Sequence, residues 1–402
     1  TPVCSPSRLT YLTGTLPSRH GVQDWLRPED SFGAKSKSWI GELPTYSKLL
    51  ADAGYDCGFS GKWHMGLDDQ AQQGFRYWAT VPGGGGPFRD VTFVRNGEQV
   101  KKPGFKEDAI GDFALEFLDD HQQRRAQDPF LLLVPFYAPH TPYDYQPDAD
   151  RAPYQNSKFS CFPRGERHPW ANRGLRAHHL NEKSMLAYSA LITGMDRNVG
   201  RVLDWLERTG QRQNTTILFT ADQGWNSGHH GFWGKGNGTW PFNMYEESIR
   251  VPMIWSHPGR IPAGRRANPM VSSYDLFPTV LDWTGVKAPP PSPARPGRSY
   301  AGYLRGKPPA RWENRLYCEY SMVRSVRTEN LKLVSRTDNW DSELYDLEAD
   351  PGETKNLIDA PSHARQRRAL EADLNRFFAR AGAPPHPDWR STTKQNLTEY
   401  QR

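Results

Sequence analysis

Five consecutive apolar residues, Phe130-Leu131-Leu132-Leu133-Val134, constrain the fold of this chain more than any other segment. A run this short and continuous reads as a strand buried on both faces, the kind found in parallel sheets. It follows Ile110, Phe113, Ala114, Phe117 and Leu118, which fall at helical spacing. The alternation recurs along the chain. A helix is predicted over 42–53 and a strand over 55–60, after the Gly54 stop. Tyr188, Leu191, Ile192, Met195, Val199, Val202, Leu203 and Leu206 define the strongest helix. Strands are predicted at 215–220 and 251–255, and a short opening helix over 5–12, with Pro6 tolerated in its first turn. This pattern predicts an α/β fold with a mainly parallel central sheet sandwiched by helices.

From about Val286 the texture changes. Ala288-Pro289-Pro290-Pro291-Ser292-Pro293 reads as a semi-rigid connector. Beyond it, strand-like segments (316–320, 331–334 and 344–347) precede one helix carrying Leu370, Leu374, Phe377 and Phe378. Two units are therefore expected: an α/β domain over 1–285 and a smaller C-terminal α+β subdomain over 286–402. The 402 residues carry a net charge of +6, which admits an anionic partner without selecting one. The four cysteines, Cys4, Cys57, Cys161 and Cys318, are too sparse for a disulfide framework and lack zinc-site spacing. No apolar run is long enough to span a membrane.

Several residues carry chemistry by type and place. Cys4 stands at a predicted helix N-terminus, where free N–H groups attract an anion, and Arg8 follows one turn later. Asp222 and Gln223 follow a predicted strand directly, at the edge where open α/β sheets bind ligands. Their oxygens suit Ca2+ or Mg2+ better than a soft metal. His140 also ends a strand, between Pro139 and Pro142, and Lys62 and His64 lie two apart in a Gly-bounded loop. Each has a plainer reading: a small buried thiol, an aspartate capping the next element, a structural histidine, surface cations. Lys62, Lys235 and Arg8 in one pocket would neutralise an oxyanion and its transition state. Tyr143 to His179 reads as a long loop rich in arginine, histidine and aromatics, and Gly83 to Gly86 as a flexible one.

Cys4-Ser5-Pro6-Ser7-Arg8, running into Leu12-Thr13-Gly14, resembles the signature of the type I, formylglycine-dependent sulfatases of the alkaline phosphatase-like superfamily. Further blocks are similar to the family's in order and spacing: Gly61-Lys62-Trp63-His64-Met65-Gly66, Ala138-Pro139-His140-Thr141-Pro142, Thr220-Ala221-Asp222-Gln223-Gly224, and Gly228-His229-His230-Gly231 with Lys235. Tyr274 to Thr279 and Leu344 to Glu353 match later landmarks, so the resemblance covers most of the chain.

The resemblance implies a sulfuric ester hydrolase whose nucleophile is formylglycine, made from Cys4 by a formylglycine-generating maturation enzyme. It implies that Asp222, Gln223 and the residue derived from Cys4 hold a divalent cation, Ca2+ or Mg2+. Arg8 and Lys62 would hold the modified residue. Lys62, Lys235, His140 and His230 would bind substrate, with His140 as acid and His64 as base; the role of His229 stays open. The expected substrate is a sulfated small molecule or glycan, with no nucleic-acid partner, in the periplasm or outside the cell. The family adds a pair of adjacent aspartates upstream of the cysteine. This sequence begins three residues before Cys4 and reads as N-terminally truncated, with an incomplete metal site. Asp68-Asp69 follows a loop and Asp119-Asp120 sits on a predicted helix, so neither replaces that pair. Alternatives are a phosphonate monoester or phosphodiester hydrolase of the same superfamily, and a non-catalytic polyanion binder using Arg164, Arg167, Arg173 and Arg176.

Overall fold

The computed structural model describes residues 1–337 and 340–385. The chain opens with α1 (Cys4–Thr13) and the short helices α2 (Pro17–His20) and α3 (Pro28–Ser31). Next come α4 (Tyr46–Asp52), β1 (Asp56–Gly61), β2 (Tyr77–Thr80), β3 (Arg89–Arg95) and β4 (Glu98–Phe105). The helix α5 (Lys106–Arg124) leads into β5 (Phe130–Leu133). After a long loop containing α6 (Asp148–Arg151) come α7 (Glu182–Arg208), β6 (Ile217–Thr220) and the small hairpin β7 (Asn226–Ser227) and β8 (Trp233–Gly234). The region closes with α8 (Glu246–Ile249), β9 (Met253–Ser256), α9 (Ser273–Thr284) and α10 (Ala301–Leu304).

The five-stranded sheet has the order β4-β3-β2-β1-β5. Strands β2, β1 and β5 run parallel, as helix–strand alternation predicts. β3 and β4 add antiparallel pairings, so the sheet is mixed. The cause is local: Asn96 and Gly97 both take positive φ, the pairing that turns a tight hairpin. Alternate residues feed two cores. Cys57, Phe59, Trp78, Leu131 and Leu133 face one, against α1, α4 and α9. Tyr77, Ala79, Phe130 and Leu132 face the other, against Phe113, Phe117 and Leu118 of α5. Gly58 lets Phe117 lie directly on β1, since a Cβ there would come within 2.6 Å of its ring.

Three expectations need correcting. The helix predicted over 42–53 is shorter, because Pro44 precedes Thr45, whose hydroxyl caps the Lys48 N–H at 3.1 Å. The run at Phe130 packs against a core on each face yet is only half-buried, because β5 is the last strand of its sheet among the described residues. β6 and β9, expected in the central sheet, pair antiparallel only with each other among the described residues, leaving Phe219 36% and Ile254 59% exposed.

In the C-terminal region, β10 (Leu316–Tyr320), β11 (Val323–Arg327), β12 (Leu331–Arg336) and β13 (Glu343–Asp346) form an antiparallel meander. The helix α11 (Ala364–Arg380) packs Leu370, Leu374 and Phe378 onto it. Residues 386–402 of the expected C-terminal unit lie outside the described residues. Met322, Val323 and Val334 of this meander share a core with Val3 and Cys4. Among the described residues, no helix is long and apolar enough to cross a membrane.

Candidate active site

Cys4 is the first residue of α1 and only 3% exposed. Burial alone would raise its pKa, but the ammonium groups of Lys235 and Lys62 and the His64 ring hold it well below the ordinary value. The Lys235 ammonium reaches its sulfur at 3.6 Å. Four residues on, the same helix face presents Arg8. Its Nε and Nη2 donate to Asp222 Oδ2 at 2.8 and 2.7 Å, and its Nη1 to the Lys62 carbonyl at 2.6 Å. Ser7 and Tyr11 bond the Asp222 and Ala221 carbonyls, so α1 is fastened along the end of β6.

Lys62 follows β1, its N–H bonded to the Pro135 carbonyl at 2.8 Å. That approach requires Gly61, where a Cβ would lie 2.2 Å from the same carbonyl oxygen. Burial lowers the Lys62 pKa to about 8 despite the compensating charge of Cys4. His64 has a positive φ and is buried against the Cys4 side chain. Its Nε2 lies 2.8 Å from the Leu26 carbonyl, which fixes the proton on Nε2. Nδ1 is buried without a hydrogen-bond partner and is left as the basic atom.

His140 is lowered well below the usual histidine pKa, by burial first and then by Lys235 and Lys62. Its Nδ1 donates to the Thr141 carbonyl, leaving Nε2 free to exchange a proton, and its ring lies 6.2 Å from that of Trp225. Asp222 is kept ionised: burial opposes its charge, but Arg8, Lys235 and Lys62 outweigh that and lower its pKa. Cys4, Arg8, Lys62, His64, His140, Asp222 and Lys235 are thus tied together by hydrogen bonds or mutual electrostatics.

Asp222 and Gln223 are the donors this cluster offers a divalent cation. Gln223 Oε1 is buried with no partner, beside the ionised Asp222 whose Oδ1 accepts the Gln223 N–H at 3.0 Å. An orphaned amide oxygen next to a carboxylate fits a hard cation in kind. These two residues supply part of the six to eight oxygens such ions take.

His230 takes other partners. Its Nε2 pairs with Glu247 at 3.0 Å, and its ring stacks on Tyr245 at 3.7 Å. His230, Glu247 and Glu353 could converge on an ion, yet Glu353 already pairs with Lys332. His229 Nδ1 is buried without a partner. In the basic loop, Arg164 pairs with Glu182 and Arg176 bonds the Ala171 carbonyl. Sequence reasoning missed Tyr137, whose ring lies 5.5 Å from the Lys62 ammonium, and Trp225 beside His140. Trp225 follows the Asp222-Gln223-Gly224 run directly, and that adjacency was the available signal.

At the strand ends of a helix-flanked α/β fold, a buried thiol is thus surrounded by cationic side chains. The chain belongs to the sulfatase family: residues 1–286 match the family's model, "Sulfatase". Residues 228–380 match the model "N-sulphoglucosamine sulphohydrolase, C-terminal". The chain is 27% identical to an N-acetylglucosamine-6-O-sulfatase of Bacteroides thetaiotaomicron, covering 91% of this chain and 76% of that protein. It is 29% identical to a choline-sulfatase of Rhizobium meliloti, covering 94% and 79%. In fold it is similar to a solved protein in complex with its substrate D-glucosamine-2-N,6-O-disulfate (TM-score 0.80, 24% identity, 94% and 88% covered). It is also similar to a phosphonate monoester hydrolase from Silicibacter pomeroyi (TM-score 0.68, 20% identity, 97% and 87% covered). The protein is a sulfatase, a hydrolase of sulfate esters.

Proposed function

We propose that this sulfatase removes sulfate from a sulfated carbohydrate, in the periplasm or outside the cell, through a nucleophile made from Cys4 and with a divalent cation. The supporting observation is the placement of Cys4 beneath Lys62, Lys235 and His64. Converted to formylglycine, residue 4 would supply a hydrated aldehyde as nucleophile, and a bound Ca2+ or Mg2+ would supply positive charge. Asp222 and Gln223 would hold part of the cation's shell. Arg8 orients Asp222 and the Lys62 backbone together.

Lys62 and Lys235 take the sulfate oxygens, where two buried ammonium groups stabilise charge far better than in water. Burial and the ammonium groups of Lys235 and Lys62 hold His140 below the usual histidine pKa, so to serve as acid it must take up a proton along with the anionic ester. It then gives that proton from Nε2 to the departing oxygen. Once the alcohol has left, His64 Nδ1 would take the remaining hydroxyl proton of residue 4, so that the carbonyl re-forms and the C–O bond to sulfate breaks, with the His64 tautomer held by the Leu26 carbonyl. The relative named N-acetylglucosamine-6-O-sulfatase supports a sugar sulfate, and the one named choline-sulfatase keeps the sulfate of a small alcohol as the second reading.

The test is mass spectrometry of the peptide containing residue 4, from active protein expressed with a formylglycine-generating enzyme. The expected result is formylglycine at position 4 and an unaltered thiol at Cys57, Cys161 and Cys318. Full activity with an unmodified Cys4 would overturn the reading. Paired turnover of an aryl sulfate and an aryl phosphonate monoester separates it from the phosphonate hydrolase alternative.

A further inference from the structure

Lys106 and Glu107 open α5, and both are buried, at 1% and 0% exposed. Adjacent charges in the first turn of a helix are ordinarily solvated. Here each holds a different backbone segment. The Lys106 ammonium donates to the carbonyls of Gly85 and Gly86, at 3.4 and 3.0 Å, and lies 4.1 Å above the Tyr137 ring. The Glu107 carboxylate accepts the N–H groups of Tyr137 and Ala138, at 3.1 and 2.7 Å. The Tyr137 carbonyl in turn accepts the His140 N–H at 2.9 Å.

The glycine strap closes the other half of the arrangement. Gly83 donates its N–H to Asp68 Oδ2 at 2.9 Å, so the strap is held from both ends. Between these anchors Gly84, at φ +69°, lies against the His64 ring, where a Cβ would stand 2.1 Å from the imidazole. His64 is thus confined between Gly84 and the Leu26 carbonyl.

We infer that Lys106 and Glu107 are positioning residues for the reaction: Lys106 sets His64 through the Gly83–Gly86 strap, and Glu107 sets His140 through Tyr137 and Ala138. The inference rests on the proton-transfer roles given above to the two histidines. One helix end thereby holds both of them in register with residue 4. Neither positioning residue touches the reacting atoms. Small displacements suffice, because a misplacement of about 1 Å costs roughly 100-fold in rate.

The experiment is a pair of double-mutant cycles in the active, matured protein, with nitrophenyl sulfate and a sugar sulfate as substrates. Lys106→Met is expected to lower kcat about 10- to 100-fold on both substrates with KM nearly unchanged, and Lys106→Arg to recover most of it. Added to His64→Ala, it should cost nothing more. Glu107→Gln is expected to cost more on the sugar sulfate than on nitrophenyl sulfate, and nothing more when added to His140→Ala. Additive losses in these backgrounds, or unchanged rates in the single variants, would overturn the inference. Should Lys106→Met fail to fold, Gly84→Ala displaces the same ring with the charged pair intact, and full activity in that variant would overturn it too. His64→Ala and His140→Ala report separately on the histidine roles. If both keep full activity, those roles and this positioning fall together; if both are impaired but the losses add, the positioning alone falls.

Discussion

Arg8 grips the carboxylate of Asp222 and the backbone carbonyl of Lys62 with one guanidinium. Two segments 160 residues apart in sequence are therefore registered by a single planar group on α1. A lysine ammonium cannot span both acceptors in that geometry. Arg8→Lys is expected to lower kcat/KM about 10- to 100-fold, the worth of one lost charge-assisted hydrogen bond. The melting temperature should fall by only a few degrees, and a steady-state assay beside a thermal melt checks both.

The two histidines should separate by leaving group. Proton donation matters most when the departing oxygen is poorly able to carry charge. His140→Ala is expected to be severe on a sugar sulfate and milder on nitrophenyl sulfate. His64→Ala should slow both alike and give a burst of nitrophenol equal to the enzyme present. Equal losses on both substrates for His140→Ala, with no burst for His64→Ala, would exchange or abolish these roles.

Gly224 lies against the chain before β9. A Cβ there would meet the Glu247 carbonyl oxygen at 2.0 Å and that of Arg250 at 2.9 Å, both backbone atoms that cannot swing aside. Gly224→Ala must therefore shift Asp222 and Gln223. Added Ca2+ is expected to raise the melting temperature of the wild-type protein and to leave that of Gly224→Ala unmoved.

His20 should report on folding at low pH. Burial lowers its pKa from 6.5 to about 3, and its Nδ1 accepts the Val22 N–H at 3.2 Å. The unfolded chain then binds one proton more than the folded chain between these values. Stability from this group is complete above about pH 6.5 and declines below it by about 1.4 kcal/mol per pH unit. His20→Asn should remove that slope, so the gap between the two proteins in denaturant melts narrows from pH 6.5 to pH 4.

The pocket was legible where chemistry is written in residue order. Lys62, Asp222 and Lys235 follow strand ends closely and meet Cys4 and Arg8 of α1, whereas His140, expected to end a strand, comes seven residues after β5 because that strand stops at Leu133. His230 was placed with them on motif alone, and its partners are Glu247 and Tyr245. Lys106 and Glu107 were illegible, because buried charges at a helix start have the same composition as solvated ones. Gly83 to Gly86 reads as loose chain until Lys106, Asp68 and His64 are seen around it. The Asn96-Gly97 pair is a hairpin signal in the sequence, and it produces the antiparallel half of the sheet.

The burial of Cys4 also sets an order in time. That residue shares a hydrophobic cluster with Met322, Val323 and Val334, which emerge from the ribosome more than 300 residues later. A maturation enzyme acting on the Cys4 thiol, as proposed above, would need that side chain in the open, before this cluster forms. At synthesis rates of about 5–20 residues per second, the interval between the two is roughly 15–60 s. The chemistry proposed for residue 4 thus competes with the ribosome, and slower translation of the last third of the chain would lengthen the time in which it can occur.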